Sequence, residues 1–271
     1  MAAPCLSVLI PARQEASRLP LLLADLAAAS GLVKEVVVVD GDSRDGTPDL
    51  VRLPGARLLA SPPGRGLQLR QGAADCDGDW LLVLHADGRL LPGWDQSVRR
   101  AMALSPPTAW CFPLVVVADL QGGGRPGPVF RLLGWLVGLR SRFAQRPYGD
   151  QGLLLPMALY RSVGGFRPIP LMEDLDLVQR LASQTRLRIL QGGWLVDGRR
   201  WLGLGLWRTA WSNAGLRRAW RRGLPAVVLS RYYRAPRAFR RRTRRRSDAR
   251  SAPDPTPGFG RTPPPQDRRT G

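Results

Sequence analysis

At 271 residues and 44% hydrophobic, the chain can bury one sizeable core with at most a small appendage. Its net charge of +20 comes from 41 basic and 21 acidic residues, with Lys34 the sole lysine, and the 13 Arg and 3 Asp from Arg231 onward hold half of that excess. Cys5, Cys76 and Cys111 are scattered with no C-x-x-C pair, the start lacks a signal-peptide pattern, and no run nears the roughly 20 apolar residues of a spanning helix, so a disulfide scaffold and an integral membrane protein are excluded and a reduced cytoplasmic setting is expected.

Ser7 to Ile10 reads as a short apolar strand ended by Pro11, and Leu19, Leu22, Leu23 and Leu26 recur at helical spacing behind a Ser17 cap. Glu35 to Asp40 holds four consecutive valines, as a strand covered on both faces would. A turn over 41–48 and a short helix follow, then a strand at Arg57 to Ala60, a helix near Gly66 to Ala74 and a strand at Trp80 to Leu84. This β-α-β-α-β-α-β order predicts an α/β fold with a mostly parallel central sheet flanked by helices and right-handed crossovers. Ligands then gather at the carboxyl edge of the strands, where Asp40, Asp42 and Asp87 belong.

The second half is less regular. Trp110 to Ala118 predicts one strand, Gly122 to Gly124 a flexible loop, Val129 to Leu139 an amphipathic helix and Gly152 to Leu155 another strand. Met172-Glu173-Asp174 opens a helix through Leu181, and Leu206 to Arg222 is helical with Trp207, Trp211 and Leu216 toward one side. Beyond about 237 the Arg, Pro, Ser and Asp composition builds no core, so a disordered basic tail is expected. The expected organisation is thus a main α/β domain over 1–202, an amphipathic helical extension over 203–236 and the tail over 237–271.

The most informative stretch is Gly64 to Pro92. A basic, Gly-bounded turn enters a helix, and the apolar run Trp80 to Leu84 then ends in His85-Ala86-Asp87. A carboxylate at a buried strand's mouth, beside a metal-capable imidazole, can hold a divalent cation against a diphosphate. Arg65, Gln68 and Arg70 can meet phosphate with side chains and free helical N–H groups, although the Gly spacing is neither a P-loop nor a Rossmann fingerprint. Each feature has a structural alternative: an Asx turn for Asp40 and Asp42, a satisfied buried imidazole for His85, solvated arginines, helix-capping acidity for Glu173 and Asp174, and core packing for Trp201.

SVLIPARQE, VVVVDGDSRDGT, GRGLQLRQGA before GDWLLVLHAD, YGDQG, GGFRPIPLMEDLDLVQRL and GRRW occur in that order. In these pieces, over roughly residues 5–202, the chain resembles the family 2 glycosyltransferases of the GT-A fold. The YGDQ, LMED and RRW combination is most similar to a small bacterial subgroup associated with radical-SAM and selenodomain proteins (arsenosugar-type), and also to carotenoid-acid glycosyltransferases. The resemblance implies an inverting, metal-dependent transfer of a sugar from a UDP- or GDP-sugar to a hydroxyl or carboxylate of a small metabolite or a lipid, isoprenoid or carotenoid acceptor. It implies a donor site of Pro11, Arg13, Glu15, Asp40, Asp42, Arg65, Gln68 and Ala86, and Mg²⁺ or Mn²⁺ at Asp87 and His85. Asp174 is the implied catalytic base with Glu173 orienting it, and Asp150, Gln151, Arg200 and Trp201 the acceptor and diphosphate side.

Three departures from the family pattern stand out. The usual Asp-Asp-Gly-Ser reads Asp-Gly-Asp-Ser here, with Gly41 at the position that commonly reads the base. His85 replaces the first Asp of Asp-x-Asp. The Gln of the processive Q-x-x-R-W motif is Val196 or Asp197, so processivity is not supported. Two other classes compete: a nucleotidyltransferase, which wants a Gly-rich loop that Pro11 to Glu15 does not offer, and a nucleic-acid-binding protein driven by charge. Acidic residues at the sheet edge argue against nucleic acid as a dedicated partner. The apolar, arginine-flanked helices leave open a lid, a dimer contact or a peripheral contact with an anionic membrane on the inner face of the cell membrane.

Overall fold

The computed structural model describes residues 4–29, 31–51, 55–104, 106, 108–117, 120, 127–143, 151–198 and 205–234. The chain divides into two units, 1–230 and 231–271, and apart from the end of the last helix every element below belongs to the first.

Strand β1 (Leu6–Ala12) lies between two parallel neighbours, β2 (Val33–Asp40) and β4 (Trp80–Val83), and β3 (Ala56–Ala60) runs parallel outside β2. Their connections carry α1 (Leu19–Ala27), α2 (Thr47–Val51) and α3 (Arg65–Ala74). Beyond β4 the direction reverses. Strand β8 (Leu153–Pro156) is antiparallel to β4 and to β6 (Trp110–Cys111), and β9 (Arg188–Ile189) is parallel to β6. The sheet order is β3-β2-β1-β4-β8-β6-β9. A smaller sheet places β10 (Trp194–Asp197) between antiparallel β5 (Gly88–Leu90) and parallel β7 (Leu114–Val117).

Side chains alternate across the large sheet, so each strand feeds two cores. Leu6, Val8, Ile10, Val36, Val38 and Leu82 pack toward α1 and toward α4 (Trp94–Met102) with Trp194. Leu9, Val37, Val39, Leu81 and Val83 pack toward α3, α6 (Met157–Ser162) and α7 (Glu173–Ala182). The four valines therefore serve both layers. At about 1.5–3 kcal/mol for each large apolar side chain fully buried, this double coverage is the main hold on the sheet. The remaining helices are α5 (Pro128–Phe143), α8 (Leu206–Arg221) and α9 (Ala226–Arg234).

Two sequence expectations need correction. The single strand expected over Trp110 to Ala118 is two strands in different sheets, β6 and β7, separated at Phe112-Pro113. Pro113 has no N–H for a ladder, so the chain changes sheets there. Ser17 does not cap α1: Arg18 holds the N-cap position with no side-chain cap, and Pro20 in the first turn removes one of the N–H groups a cap would serve. The loop expected at Gly122 to Gly124 and the tail beyond 237 lie outside the described residues.

Candidate active site

The carboxyl ends of β1, β2 and β4 open onto one edge, and strained backbone marks it. Among the described residues the non-glycine positions with positive φ are Gln14 (59°) after β1, Asp42 (63°) after β2 and Met172 (69°) at the N-cap of α7. Such conformations persist where the surroundings over-determine them, and they concentrate at functional sites. Here the surroundings are visible. The N–H groups of Gln14, Glu15 and Ala16 donate to Ser43 Oγ (2.8 Å), Thr47 Oγ1 (2.9 Å) and Asp45 Oδ2 (3.0 Å). The loop after β1 is thereby laced to the turn after β2.

Asp40 ends β2 opposite Ala12 and is 6% exposed. Its Oδ2 accepts the Ser43 N–H at 2.9 Å, the Asx-type turn, while its buried Oδ1 has no hydrogen-bond partner. A buried carboxylate oxygen without a partner is costly unless a ligand supplies the donor. Asp42 is exposed next to it. Gly41 is buried, and a Cβ there would lie 2.9 Å from Gln68 Nε2, so a side chain at this position would displace the Gln68 amide. The Gln68 amide donates to the carbonyls of Ala12 (3.0 Å) and Val39 (2.8 Å). It ties the ends of β1 and β2 together, so its N–H groups serve the backbone of the site.

A chain of contacts joins α3, the end of β4 and α7. Arg65 Nε lies 3.0 Å from Glu173 Oε1, an ion pair whose angle does not make a hydrogen bond of that N–H. The same guanidinium donates to His85 Nε2. That bond makes Nε2 the acceptor and assigns the ring proton to Nδ1, 3.9 Å from Asp87 Oδ1. Burial raises the Asp87 carboxyl above the usual carboxylate range, with Arg65 and Arg18 opposing and Asp197 adding. Glu173 is 3% exposed, and its carboxyl is pushed up to about 7 by burial, against Arg65 and with the help of Asp174. Asp174 is half-buried in the first turn of α7, where Leu175 N–H donates to its Oδ1 at 2.7 Å.

Close backbone contact sets this arrangement. A Cβ on Gly66 would meet Ile169 O at 2.4 Å and Arg167 O at 2.6 Å, so only glycine lets the first turn of α3 press on the loop before α7. A strut holds that loop from the other side. Asp176 accepts from Arg180 (2.6 Å) and Arg167 (3.0 Å), and Arg180 also donates to the carbonyls of Gly165 (2.8 Å) and Val163.

Sequence reasoning missed Arg18 and gave Asp197 no part in the site. Arg18 pairs with Glu15 at 2.6 Å and with Asp197 at 3.3 Å, and Asp197 helps to raise the neighbouring Asp87 carboxyl. Burial raises the Glu15 carboxyl, and Asp87 adds to the shift. No spacing signal marks Arg18 among 40 arginines, and Asp197 arrives on a strand the sequence did not predict. Pro11 is half-buried within β1, Arg13 is exposed beyond it, and Ala86 is buried between His85 and Asp87, where only its backbone is on offer.

Gln151 is 0% exposed. Its amide donates to Phe112 O (3.1 Å) and accepts from Ser141 Oγ (2.8 Å), so it binds α5 to the sheet inside the protein. Asp150, Arg200 and Trp201 lie outside the described residues. Among the described residues no group of three or more His, Cys, Asp and Glu is arranged to hold a metal ion; His85 Nδ1 and Asp87 Oδ1 lie 3.9 Å apart, and Arg65 occupies the His85 Nε2. A cavity of about 550 Å³ lies away from this edge, behind the small sheet, between α1 and the start of α4. Its Asp25–Arg89 pair is closed by bonds of 2.7 and 2.8 Å, so the unsatisfied and strained groups, not the cavity, identify the candidate site.

The family model described as "Glycosyl transferase family 2" matches residues 7–161, more than half of the chain. The chain belongs to glycosyl transferase family 2. It carries a glycosyltransferase domain on the GT-A fold, and β2 to β4, α3, β8 and all of β1 but Leu6 fall within the match. A TPR repeat-containing protein of Synechococcus elongatus is 32% identical over 201 residues, 68% of this chain and 46% of that protein. The N-acetylglucosaminyl-diphospho-decaprenol L-rhamnosyltransferase of Mycobacterium tuberculosis is 28% identical over 211 residues, 64% of this chain and 66% of the relative. The chain thus spans about half to two thirds of these relatives. Among solved structures, TarS of S. aureus aligns with TM-score 0.56 at 18% identity, over 71% of this chain and 60% of the other. The mannosyltransferase PcManGT of Pyrobaculum calidifontis, in complex with GDP-Man and Mn²⁺, aligns with TM-score 0.51 at 18% identity, over 81% and 62%. At that identity the structures establish a shared fold.

Proposed function

We propose that the edge formed by Asp40, Arg65, His85, Asp87, Glu173 and Asp174 transfers a sugar, with inversion, from a nucleotide-diphospho-sugar to an acceptor hydroxyl or carboxylate. The observation that carries this reading is the buried Asp40 Oδ1, which lacks a partner at the end of β2. A nucleoside N–H or ribose hydroxyl supplies the missing donor. Asp42, Pro11, Arg13, Glu15 and the Ala86 backbone complete the donor wall, with Gln68 holding it in shape. UDP- and GDP-sugars are the donors of choice, since UDP-GlcNAc is bound by TarS and GDP-Man by the archaeal mannosyltransferase.

Arg65 pairs with Glu173 and donates to His85, and in the donor complex its guanidinium turns to the diphosphate. Asp87, joined by His85 once Arg65 turns from its Nε2 to the diphosphate, would hold a Mg²⁺ or Mn²⁺ ion, because in diphosphate sites such ions take one or two protein ligands and the rest from phosphate and water. A bound ion there supplies charge neutralisation that makes the diphosphate a better leaving group. Asp174 accepts the proton of the attacking hydroxyl. The acceptor oxygen bonds to the anomeric carbon from the face opposite the donor, the bond to the diphosphate breaks, and the nucleoside diphosphate leaves with the electron pair. Glu173, buried and paired, orients Asp174.

The YGDQ, LMED and RRW combination supports membership of the arsenosugar-type subgroup and an acceptor that is a small metabolite, isoprenoid or carotenoid, with Asp150, Arg200 and Trp201 on its side. In this reading the catalytic domain spans 1–202, with a helical extension to 236 and a basic tail beyond. Two variants test the chemistry together. Asp174→Asn is expected to lower kcat by about 10²–10⁴ while donor affinity is kept. Asp40→Ala is expected to weaken donor binding by roughly 10–100-fold, the cost of a lost buried charged hydrogen bond. Full transfer activity in Asp174→Asn, measured as nucleoside diphosphate release, refutes the assignment. Release of pyrophosphate instead identifies a nucleotidyltransferase.

A further inference from the structure

Helix α5 is apolar on two faces. Phe130, Leu133 and Val137 turn inward onto Leu114 and Val116 of β7. Val129, Leu132, Trp135, Leu136 and Phe143 turn outward, with exposures of 55, 54, 61, 49 and 74%. A helix with this pattern needs a second cover, since five large apolar side chains on one face are more than scattered surface residues. The charge on the helix itself has one sign. The helix carries arginines, among them exposed Arg131 and Arg142, and no acidic residue.

The same composition extends on both sides in the sequence. No Asp or Glu occurs from Gln121 to Gly149, nor from Gly198 to Ser247, a stretch that holds 16 arginines. Within it α8 exposes Trp211 (76%) and α9 exposes Val227 (54%). None of these helices is long and apolar enough to cross a bilayer.

We propose that the outer face of α5 docks on an anionic lipid bilayer surface, lying in the interface with Leu132, Trp135 and Leu136 in the acyl boundary and Arg131 and Arg142 at the headgroups. Apolar side chains ringed by arginine match that environment: the apolar ones leave water and the guanidiniums meet lipid phosphate. A second copy of the chain matches it poorly, because each copy carries +20 and would set arginine against arginine. Nucleic acid would satisfy the arginines and leave the apolar residues in water. The docked helix backs β7, whose neighbour β10 ends at Asp197, so lipid contact lies one layer behind a wall of the candidate active site. The proposal stands independently of the transfer chemistry.

The test is co-sedimentation of the full chain with vesicles of neutral phosphatidylcholine and with vesicles that also contain phosphatidylglycerol. The expected result is partition to the anionic vesicles, weakened by salt, and about tenfold lower for Leu132→Glu/Trp135→Glu, with thermal unfolding and donor binding unchanged. Arg131→Gln/Arg142→Gln, which keeps the apolar face, is expected to lose anionic preference to a lesser degree. Wild-type-like partition of the Leu132→Glu/Trp135→Glu variant would show that the basic tail alone binds lipid and overturn the proposal. Absence of wild-type binding, or a solution dimer that this variant dissolves, would overturn it as well.

Discussion

Valine and leucine build both the β3-β2-β1-β4 half of the large sheet and helix α5, yet they end in opposite environments. Val36 to Val39 are at most 7% exposed because a helical layer lies on each side of their strand. Leu132 and Leu136 stay half in water because, among the described residues, the apolar cluster of α5 forms on its β7 side. Hydrophobicity identifies which side chains need covering; the number of layers available decides which are covered. The two regions also treat charge differently. At the sheet edge acids and arginines are paired at short range around Arg65 and Arg18, whereas the outer helices carry arginines without acids.

The tightly packed region is most vulnerable at Gly66. Gly66→Ala drives a Cβ into two backbone carbonyls that cannot step aside, and is expected to cost about 3 kcal/mol, seen as a lower urea midpoint, and to part Arg65 from Glu173. A loss under about 0.5 kcal/mol would mean that the loop before α7 yields freely, unlike a packed core.

The next effect depends on pH. Glu173 has a folded pKa of about 7 against 4.5 as the ordinary value, raised by burial, so the folded protein holds this proton more tightly than the unfolded chain. Its contribution to stability is therefore complete below about pH 4.5 and is lost as pH rises through 7. Glu173→Gln removes that dependence, and the wild type is expected to lose at most about 3 kcal/mol across this window relative to the variant. Melting temperatures from pH 4 to 8 decide it, and parallel curves for the two proteins would rule out a shifted Glu173. The smallest effect should come from α5. Leu132→Glu is expected to change stability by no more than about 0.5 kcal/mol, while Val137→Ala, on the inward face of the same helix, costs about 2 kcal/mol. Thermal unfolding of the pair measures whether one face alone is packed.

Much of the sheet edge was legible before the fold was known. Asp40, Asp42 and Asp87 follow from the rule that ligands meet the carboxyl ends of parallel strands, and Glu173 and Asp174 open a helix as their sequence pattern predicts. Gln68 was legible as a residue of the edge but not in its role, since its partners Ala12 and Val39 lie 56 and 29 residues away. Gln151 was expected toward the acceptor and instead sits buried, bonded to Ser141 of α5 and to the Phe112 carbonyl between β6 and β7. The break between β6 and β7 was written in Pro113, whose missing N–H ends a ladder, and was overridden by the apolar run around it.

Periodicity and turn chemistry act between residues a few positions apart, so the sequence by itself determined the β-α alternation, the two-sided burial of the valine strand and the placing of acids at strand ends. The contacts that turn those acids into a site join distant segments: Arg65 with Glu173, Arg18 with Asp197, Gly66 with Ile169. Only the tertiary structure decided these, because each depends on how closely two backbones approach, and that distance is set by the packing of whole layers rather than by any local pattern.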